Sequence, residues 1–429
     1  MNTESDNKER ALLAGLNTGD PNTDFSHSME ELAALANACN IEVGGIYTQN
    51  LPVPNPATYI GSGKIEEIRN GLSILEADLV IFDDALSPIQ LRNLTDALNC
   101  SVLDRTSLIL RIFADRAKTK EAMLQVELAG LQYMLPRLVG MHASLSRQGG
   151  TSGSFSNKGS GEKKLELDRR HIEHRINELQ KNLREVKKER ATTRKQRESS
   201  GLKKVALVGY TNAGKSTIMN WMIDTFSDCD EKKVLEKDML FATLDTTIRK
   251  ISPGNKRPPF LLSDTVGFIN QLPHTLIKAF HSTLEEVSYA DLILHVIDSS
   301  DCHCDEQIRV TEHTLLELDA ASIPCIYLYN KADISRGKSH IPYAVGDKLY
   351  ISAKERIGME ELLSMLYDKL SAQDKEHEFL FPLSRGDILN TLFERATVHS
   401  YEYRENGIFC KCKCSEKEFC KFNQYSVKD

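Results

Sequence analysis

The spacing of apolar residues changes several times along this chain, and each change marks an element. Met29 to Cys39 is rich in Ala and Leu at helical spacing, and Glu42 to Thr48 reads as a strand. Lys64 to Leu75 returns to a helical period, and Asp78 to Phe82 is a short apolar run of strand type. Ser87-Pro88 sets a capping hydroxyl before a proline, which predicts a helix start, and Ser101 to Leu103 predicts another strand. This alternation predicts a small open sheet with flanking helices. From Arg105 to Leu138 the period is helical, with a long amphipathic stretch through Glu121, Val126, Leu128 and Leu131. Leu165 to Glu198 is a charged helix with one narrow apolar stripe at Leu165, Ile172, Ile176, Leu179, Leu183 and Val186. Such a stripe pairs with one partner helix, and Ala122 to Leu135 is the natural one, giving a helical hairpin.

A cleaner alternation begins at Lys203. Strands are predicted at Lys204 to Val208, Phe260 to Ser263, Leu292 to Asp298, Cys325 to Tyr329 and Lys348 to Ile351. Helices are predicted at Lys215 to Phe226, Leu276 to Val287, Glu306 to Leu318 and Met359 to Leu370. The remainder carries a helix, Arg385 to Ala396, and two strand-like runs. The expected layout is a flexible N-terminal tail over residues 1–24 and an N-terminal domain over 25–200. That domain comprises an α/β part at 25–115 and a hairpin at 116–200, whose Gly-, Ser-, Asn- and Lys-rich loop, 144–164, reads as mobile. An α/β domain at 203–371 and a small α+β domain at 376–429 follow.

Bulk properties narrow the partners. A length of 429 residues suits about three domains of roughly 150 residues each. The formal net charge of −7 gives no global basic field, so DNA is not expected as a partner and any RNA contact must be local. Lys187-Lys188-Glu189-Arg190 and Arg194-Lys195-Gln196-Arg197 read equally as a solvated helix end or as an RNA-facing patch. Apolar runs are too short to span a bilayer, and Met1 to Asp20 is polar, unlike a secretory signal. The ten cysteines lack the framework of a small secreted domain, so a reducing cytoplasm is expected.

The candidate chemistry sits in the second alternation. Gly209-Tyr210-Thr211-Asn212-Ala213-Gly214-Lys215-Ser216 follows an apolar strand and opens a helix, the setting a phosphate-binding loop requires. Backbone N–H groups and the helix N-terminus would cradle the β-phosphate, Lys215 would reach the β- and γ-phosphates, and Ser216 would supply a hydroxyl to Mg²⁺. Asp264-Thr265-Val266-Gly267 ends a strand, where a carboxylate can hold Mg²⁺ through water and Gly267 can bring an N–H onto the γ-phosphate. Asn330-Lys331-Ala332-Asp333 ends another, and Asp333 can accept from the guanine ring N–H and its amino group, which adenine lacks. Ser352-Ala353-Lys354 fits a loop that offers a backbone N–H to the guanine oxygen. Each motif is weak alone. Four in this order, each at the carboxyl end of a strand, point to a P-loop NTPase G domain, an α/β fold with a doubly wound, mostly parallel sheet, binding GTP or GDP. Phe241-Ala242-Thr243-Leu244-Asp245-Thr246-Thr247 occupies the place of a switch loop whose threonine completes Mg²⁺ coordination, and spacing does not choose among the three threonines.

Together these residues resemble the HflX-type GTPases, ribosome-associated relatives of the Era and Obg translation-factor class. The resemblance covers most of the chain. Its specific signals include Tyr59-Ile-Gly-Ser-Gly-Lys64, Phe82-Asp-Asp-Ala-Leu-Ser-Pro-Ile-Gln-Leu91, Asp104-Arg-Thr-Ser-Leu-Ile-Leu110 and Gln125-Val-Glu-Leu128. Leu167-Asp-Arg-Arg170, Phe241-Ala-Thr-Leu-Asp245 and Asp264-Thr-Val-Gly-Phe-Ile269 continue the series. The resemblance implies nucleotide contact by Phe241 to Asp245, Mg²⁺ on Ser216 and Thr243, and GTP hydrolysis. It also implies the large ribosomal subunit, its RNA and proteins, as partner, with a role in splitting or rescuing stalled ribosomes under stress. A monomer in the cytoplasm, partly on ribosomes or a membrane surface, is expected. Phe268 stands where Ras-like enzymes carry a water-positioning glutamine; a phenyl ring cannot orient water, so hydrolysis is expected to be slow until another group is supplied. Two rival readings stay open: a nucleotide-gated module that hydrolyses poorly, and an assembly or RNA-remodelling factor for the large subunit. One departure stands out. The family's interhelical loop usually ends Gly-Pro-Gly-Glu, whereas here residues 149–162 lack the proline, which changes loop stiffness and suggests a specialised paralogue.

Other polar clusters carry less. Cys410, Cys412, Cys414 and Cys420 lack the paired spacing of usual zinc sites and read as one face of a strand with a following residue. Cys302-His303-Cys304 opens a predicted helix, where capping and ordinary packing explain it. Ile60-Gly-Ser-Gly-Lys64 lacks the full spacing of a phosphate loop.

Overall fold

The computed structural model describes residues 9–20, 24–147, 158–226, 240–241, 247–254, 257–269, 285–372 and 374–427, with side chains left aside at 139–147, 158–165, 191, 193–200 and 417. The chain divides into two compact units: residues 1–187 with 239–241 and 272–280, and the remainder.

The first unit is built on a parallel sheet. Its elements run β1 (Arg10–Asn17), α1 (Phe25–Ala38), β2 (Glu42–Asn50), α2 (Ser62–Leu75), β3 (Leu79–Phe82), α3 (Pro88–Leu98), β4 (Ser101–Asp104) and α4 (Arg105–Arg116), with strand order β2-β1-β3-β4. Residues 10–17 correct the expectation of a flexible tail over 1–24. They form an inner strand, paired in parallel from Ala11↔Leu79 to Ala14↔Phe82, and Ala11 to Ala14 are essentially inaccessible. The run Ala-Leu-Leu-Ala is a strand buried on both faces, which shows no alternation to detect. Leu12, Ile68, Val80, Phe82 and Leu94 form the core on one face of this sheet. The helix start at Ser87 is a full capping box: Ser87 Oγ accepts from the Gln90 N–H at 3.2 Å, and Gln90 Oε1 accepts from the Ser87 N–H at 2.9 Å.

The expected hairpin is formed by α5 (Lys120–Arg147) and α6 (Lys158–Ser200). Leu179 is fully buried and Ile176 nearly so, packed against Leu128 with Leu124, Leu131, Ile172 and Leu183 around them. Arg175 adds a two-pronged bond to Glu127, at 2.7 and 3.0 Å. The loop expected at 144–164 is shortened by both helices, which extend to Arg147 and from Lys158; residues 148–157 lie outside the described residues.

In the second unit, β5 (Lys203–Gly209), α7 (Lys215–Phe226), β6 (Thr247–Ile251), β7 (Phe260–Asp264), β8 (Leu292–Asp298), β9 (Cys325–Asn330), β10 (Tyr343–Val345) and β11 (Lys348–Tyr350) form a seven-stranded sheet. Its order is β10-β11-β9-β8-β5-β7-β6, parallel except for the two edge strands. Those edges escape the sequence pattern, since β6 is polar and only half buried and β10 is three exposed residues long. Leu207, Leu294, Val296 and Leu328 from the sheet pack with Ile218 and Met222 of α7 and with Leu362 and Leu366 of the helix Met359–Leu370. The helix predicted at Leu276 to Val287 falls largely on residues outside the described set. The C-terminal part is a three-stranded antiparallel sheet of β12 (Lys375–Phe381), β13 (Thr397–Arg404) and β14 (Gly407–Cys414), covered by the helix Gly386–Arg395. Cys410, Cys412 and Cys414 lie on one face of β14 and are fully buried among Phe379, Ile388 and Leu392.

A polar network closes the carboxyl ends of β3 and β4. Arg105 is 3 % exposed and bonds Asp83 at 2.6 Å and Glu31, while Ser28 Oγ donates to Asp83 at 2.6 Å. Burial raises the Asp84 carboxyl above its usual range, against the bond donated by Tyr59. Two carboxylates on one buried guanidinium leave a large uncompensated charge if the arginine is removed. Arg105→Met is therefore expected to cost about 3–5 kcal/mol in denaturant unfolding. A loss below about 1 kcal/mol would show the network to be structurally idle.

Candidate nucleotide-binding site

Four loops leave the carboxyl ends of β5, β7, β9 and β11 on one side of the sheet. The chain from Gly209 to Gly214 turns tightly before α7, with φ +59° at Asn212 and φ +98° at Gly214. A side chain at Gly214 would lie 2.1 Å from Asn330 Nδ2, so only glycine lets the first and third loops approach this closely. Lys215 is buried and curls back, its Nζ donating to the carbonyls of Gly209 at 3.0 Å and Tyr210 at 2.6 Å. Burial pushes its pKa down to about 8, with the Asp264 charge opposing. Ser216 Oγ donates to Asp264 Oδ2 at 2.9 Å, placing two hard oxygen donors together at the phosphate end. Thr211 Oγ1 is buried without a hydrogen-bond partner among the described residues.

The second loop is held against the first. The Thr211 N–H donates to the Phe268 carbonyl at 2.8 Å and the Phe268 N–H to the Gly209 carbonyl at 3.1 Å. A side chain at Gly267 would meet Thr211 Cα at 2.8 Å and Lys215 Nζ at 3.0 Å, so this close approach also depends on glycine. Thr265 Oγ1 donates to the Leu207 carbonyl at 2.7 Å, and the Phe268 ring is 2 % exposed.

Asn330 joins the base end to the phosphate end. Its Nδ2 donates to the Ala213 carbonyl at 2.9 Å and its Oδ1 accepts from the Ala353 N–H at 2.9 Å. Lys331 takes a left-handed conformation and pairs with Asp298 at 2.6 Å. Asn212, Gly214, Asn330, Lys331, Asp333, Ser352, Ala353 and Lys354 all face one cavity of about 510 Å³, a size suited to a nucleotide. Thr217, Asn220, Trp221 and Asp224 line it too, and the motifs do not reveal them. Their spacing on α7 puts them on one helical face, and the fold turns that face to the cavity.

Phe241 does not line this cavity. It belongs to the first unit, where its ring meets Phe113 edge-on at 4.8 Å. Ala242, Thr243, Leu244 and Asp245 lie outside the described residues.

A glycine-bearing loop before a helix, a strand-end aspartate against its serine and a lysine turned into its own carbonyls define a P-loop nucleotide-binding domain. Three family profiles match the chain: GTP-binding GTPase N-terminal over residues 26–114, GTP-binding GTPase middle region over 116–197, and 50S ribosome-binding GTPase over 204–331. The GTPase HflX of Caldanaerobacter subterraneus is 45% identical over 413 residues, covering 96% of this chain and 92% of that protein. The GTPase HflX of Escherichia coli is 38% identical over 387 residues, covering 88% and 87%. The GDP complex of a GTP-binding protein from Sulfolobus solfataricus is 25% identical, with a TM-score of 0.45 and coverage of 85% and 99%. The chain belongs to the HflX GTPase family, and it is a GTP hydrolase.

The low pKa of Lys215 gives nucleotide binding a pH signature. Without ligand the folded chain sheds this proton near pH 8, whereas phosphate oxygens favour the cation. Binding of GDP between about pH 8 and 9 is therefore expected to take up a proton, and affinity should fall as pH rises through that window. Calorimetry in buffers of different ionisation enthalpy measures the uptake; equal uptake by Lys215→Ala would assign the proton to another group.

Proposed function

We propose that the chain is a Mg²⁺-dependent switch that binds the large ribosomal subunit in its GTP state and splits or rescues stalled ribosomes. The observation that carries the nucleotide half is Asn330, whose side chain fastens the loop of Lys215 to the loop of Ala353 around the cavity that Asp333 lines. In this reading residues 209–216 wrap the α- and β-phosphates through main-chain amides, with Lys215 leaving its carbonyls for phosphate oxygens. Mg²⁺ is held by Ser216 and Thr243, with Asp264 acting through water; the approach of Ser216 Oγ to Asp264 supports this donor set. Asp333 reads the guanine N–H groups, Lys331 flanks the base, and the Ser352–Lys354 loop meets its oxygen. Residues 241–245 and 264–267 form the segments that respond to the γ-phosphate.

Hydrolysis is slow in the isolated chain, because the buried Phe268 ring offers no hydrogen bond to water and its backbone is tied to Gly209 and Thr211. The ribosome supplies or arranges the missing group. The ribosomal half rests on the family and on the 50S ribosome-binding profile over residues 204–331. The hairpin of α5 and α6, with its basic residues from Lys187 to Arg197, is the element suited to ribosomal RNA. The sequence at 149–162, which lacks the proline, points to a specialised role; exchange for the Gly-Pro-Gly-Glu form with unchanged ribosome splitting would argue against this. The cytoplasm is the proposed location, and among the described residues no helix is long and apolar enough to cross a membrane.

Sedimentation with ribosomes tests the proposal. With a non-hydrolysable GTP analogue the chain should travel with large subunits and shift intact ribosomes toward free subunits, whereas with GDP it should stay near the top of the gradient. Equal association in both states would remove the switch, and association restricted to immature particles would make the chain an assembly factor instead.

A further inference from the structure

The turn after β8 holds a group of donors that nucleotide binding does not use. Asp301, Cys302 and His303 each offer one ligand atom, and these atoms all lie within 4.8 Å of one another. His303 Nδ1 lies 3.2 Å from Cys302 Sγ and 3.4 Å from an Asp301 carboxylate oxygen. Helix capping does not account for the histidine: it occupies the N-cap of the helix Cys304–Glu317 and makes no side-chain cap bond. The turn into the helix is held by Asp301, whose Oδ1 accepts from the His303 N–H at 2.8 Å. Packing does not account for the thiol either, since Cys302 is exposed.

We propose that Asp301, Cys302 and His303 form a binding site for a thiophilic divalent ion of the zinc class, with water completing the coordination. Donors around a tetrahedral ion at about 2.0–2.3 Å are separated by roughly 3.3–3.7 Å. The separations of 3.2 and 3.4 Å at His303 Nδ1 lie close to that range, and the third, within 4.8 Å, is brought to it by a small rotation of Cys302. One thiolate, one imidazole and one carboxylate select zinc over the hard Mg²⁺ at the phosphate end, which prefers oxygen donors in octahedral array. An outer contact is in place: Gln307 Nε2 donates to Asp301 Oδ2 at 2.7 Å, holding the carboxylate while its other oxygen faces the cysteine and histidine. The turn is fixed by the Cys304 N–H donating to the Asp301 carbonyl at 3.3 Å. Asp305 and Glu306 in the first helical turn add negative charge that offsets the helix dipole at this end. Zinc would meet the imidazole at Nδ1, leaving the ring proton on Nε2, and would displace the thiol proton to solvent.

The test uses the full chain saturated with Mg²⁺ and GDP, stripped of other metals, and titrated with zinc against a chromophoric chelator. One equivalent is expected to bind. Cys302→Ser and His303→Gln should each weaken it at least about tenfold, and Gln307→Ala roughly tenfold or more. Cobalt(II) in place of zinc should give a thiolate-to-metal absorption band that Cys302→Ser abolishes and Cys304→Ser retains. Absence of stoichiometric zinc binding by the unaltered chain, or an unchanged equivalent in Cys302→Ser, would overturn the proposal.

Discussion

The two hydrogen bonds of Asn330 are the constraint from which the rest of the site follows. Ala213 belongs to the turn that would wrap phosphates, and Ala353 to the loop at the far end of the cavity, yet both main chains bond one amide side chain. Asn330 is 3 % exposed, so neither bond exchanges freely with water. Losing the side chain leaves a buried carbonyl and a buried N–H unpaired, each worth roughly 1–3 kcal/mol. Gly214 exists in this arrangement because any larger residue would strike the amide. The cavity is thus one preorganised cradle rather than two recognition loops that happen to be adjacent.

At the phosphate end several groups bond within the chain. Lys215 bonds two carbonyls of its own loop, Ser216 bonds Asp264, and Phe268 bridges Gly209 and Thr211 through its main chain. A nucleotide and its cation would offer Lys215 phosphate oxygens in place of its loop carbonyls, and Ser216 a cation in place of the Asp264 carboxylate. Burial outweighs the opposing Asp264 charge and keeps the lysine's pKa low, which is a cost that phosphate would relieve.

Much of this was legible in the sequence because parallel strands end where ligands bind. The apolar runs Leu292 to Asp298 and Cys325 to Tyr329 located β8 and β9 almost to the residue, and the motifs followed from their ends. The hairpin pairing was legible from a single stripe, Ile172 to Leu183, matched to Leu124 to Leu135. Strand β1 was not, because a strand buried on both faces has no polar phase, and the edge strands were too short or too polar to register. Thr217, Asn220, Trp221 and Asp224 were hidden for another reason: their spacing is that of any amphipathic helix, and only the fold shows which side faces the ligand. The convergence of Asp301, Cys302 and His303 depended on a turn geometry that residue order alone does not set.

The cradle could hold any nucleoside diphosphate, whereas in the proposed site Asp333 is the group that would demand guanine. Titration calorimetry of GDP and ADP against the unaltered chain and Asp333→Ala is the most direct measurement. GDP is expected to bind at least about a hundredfold more tightly than ADP, with most of that preference gone in the variant. ADP held as tightly as GDP by the unaltered chain would contradict it.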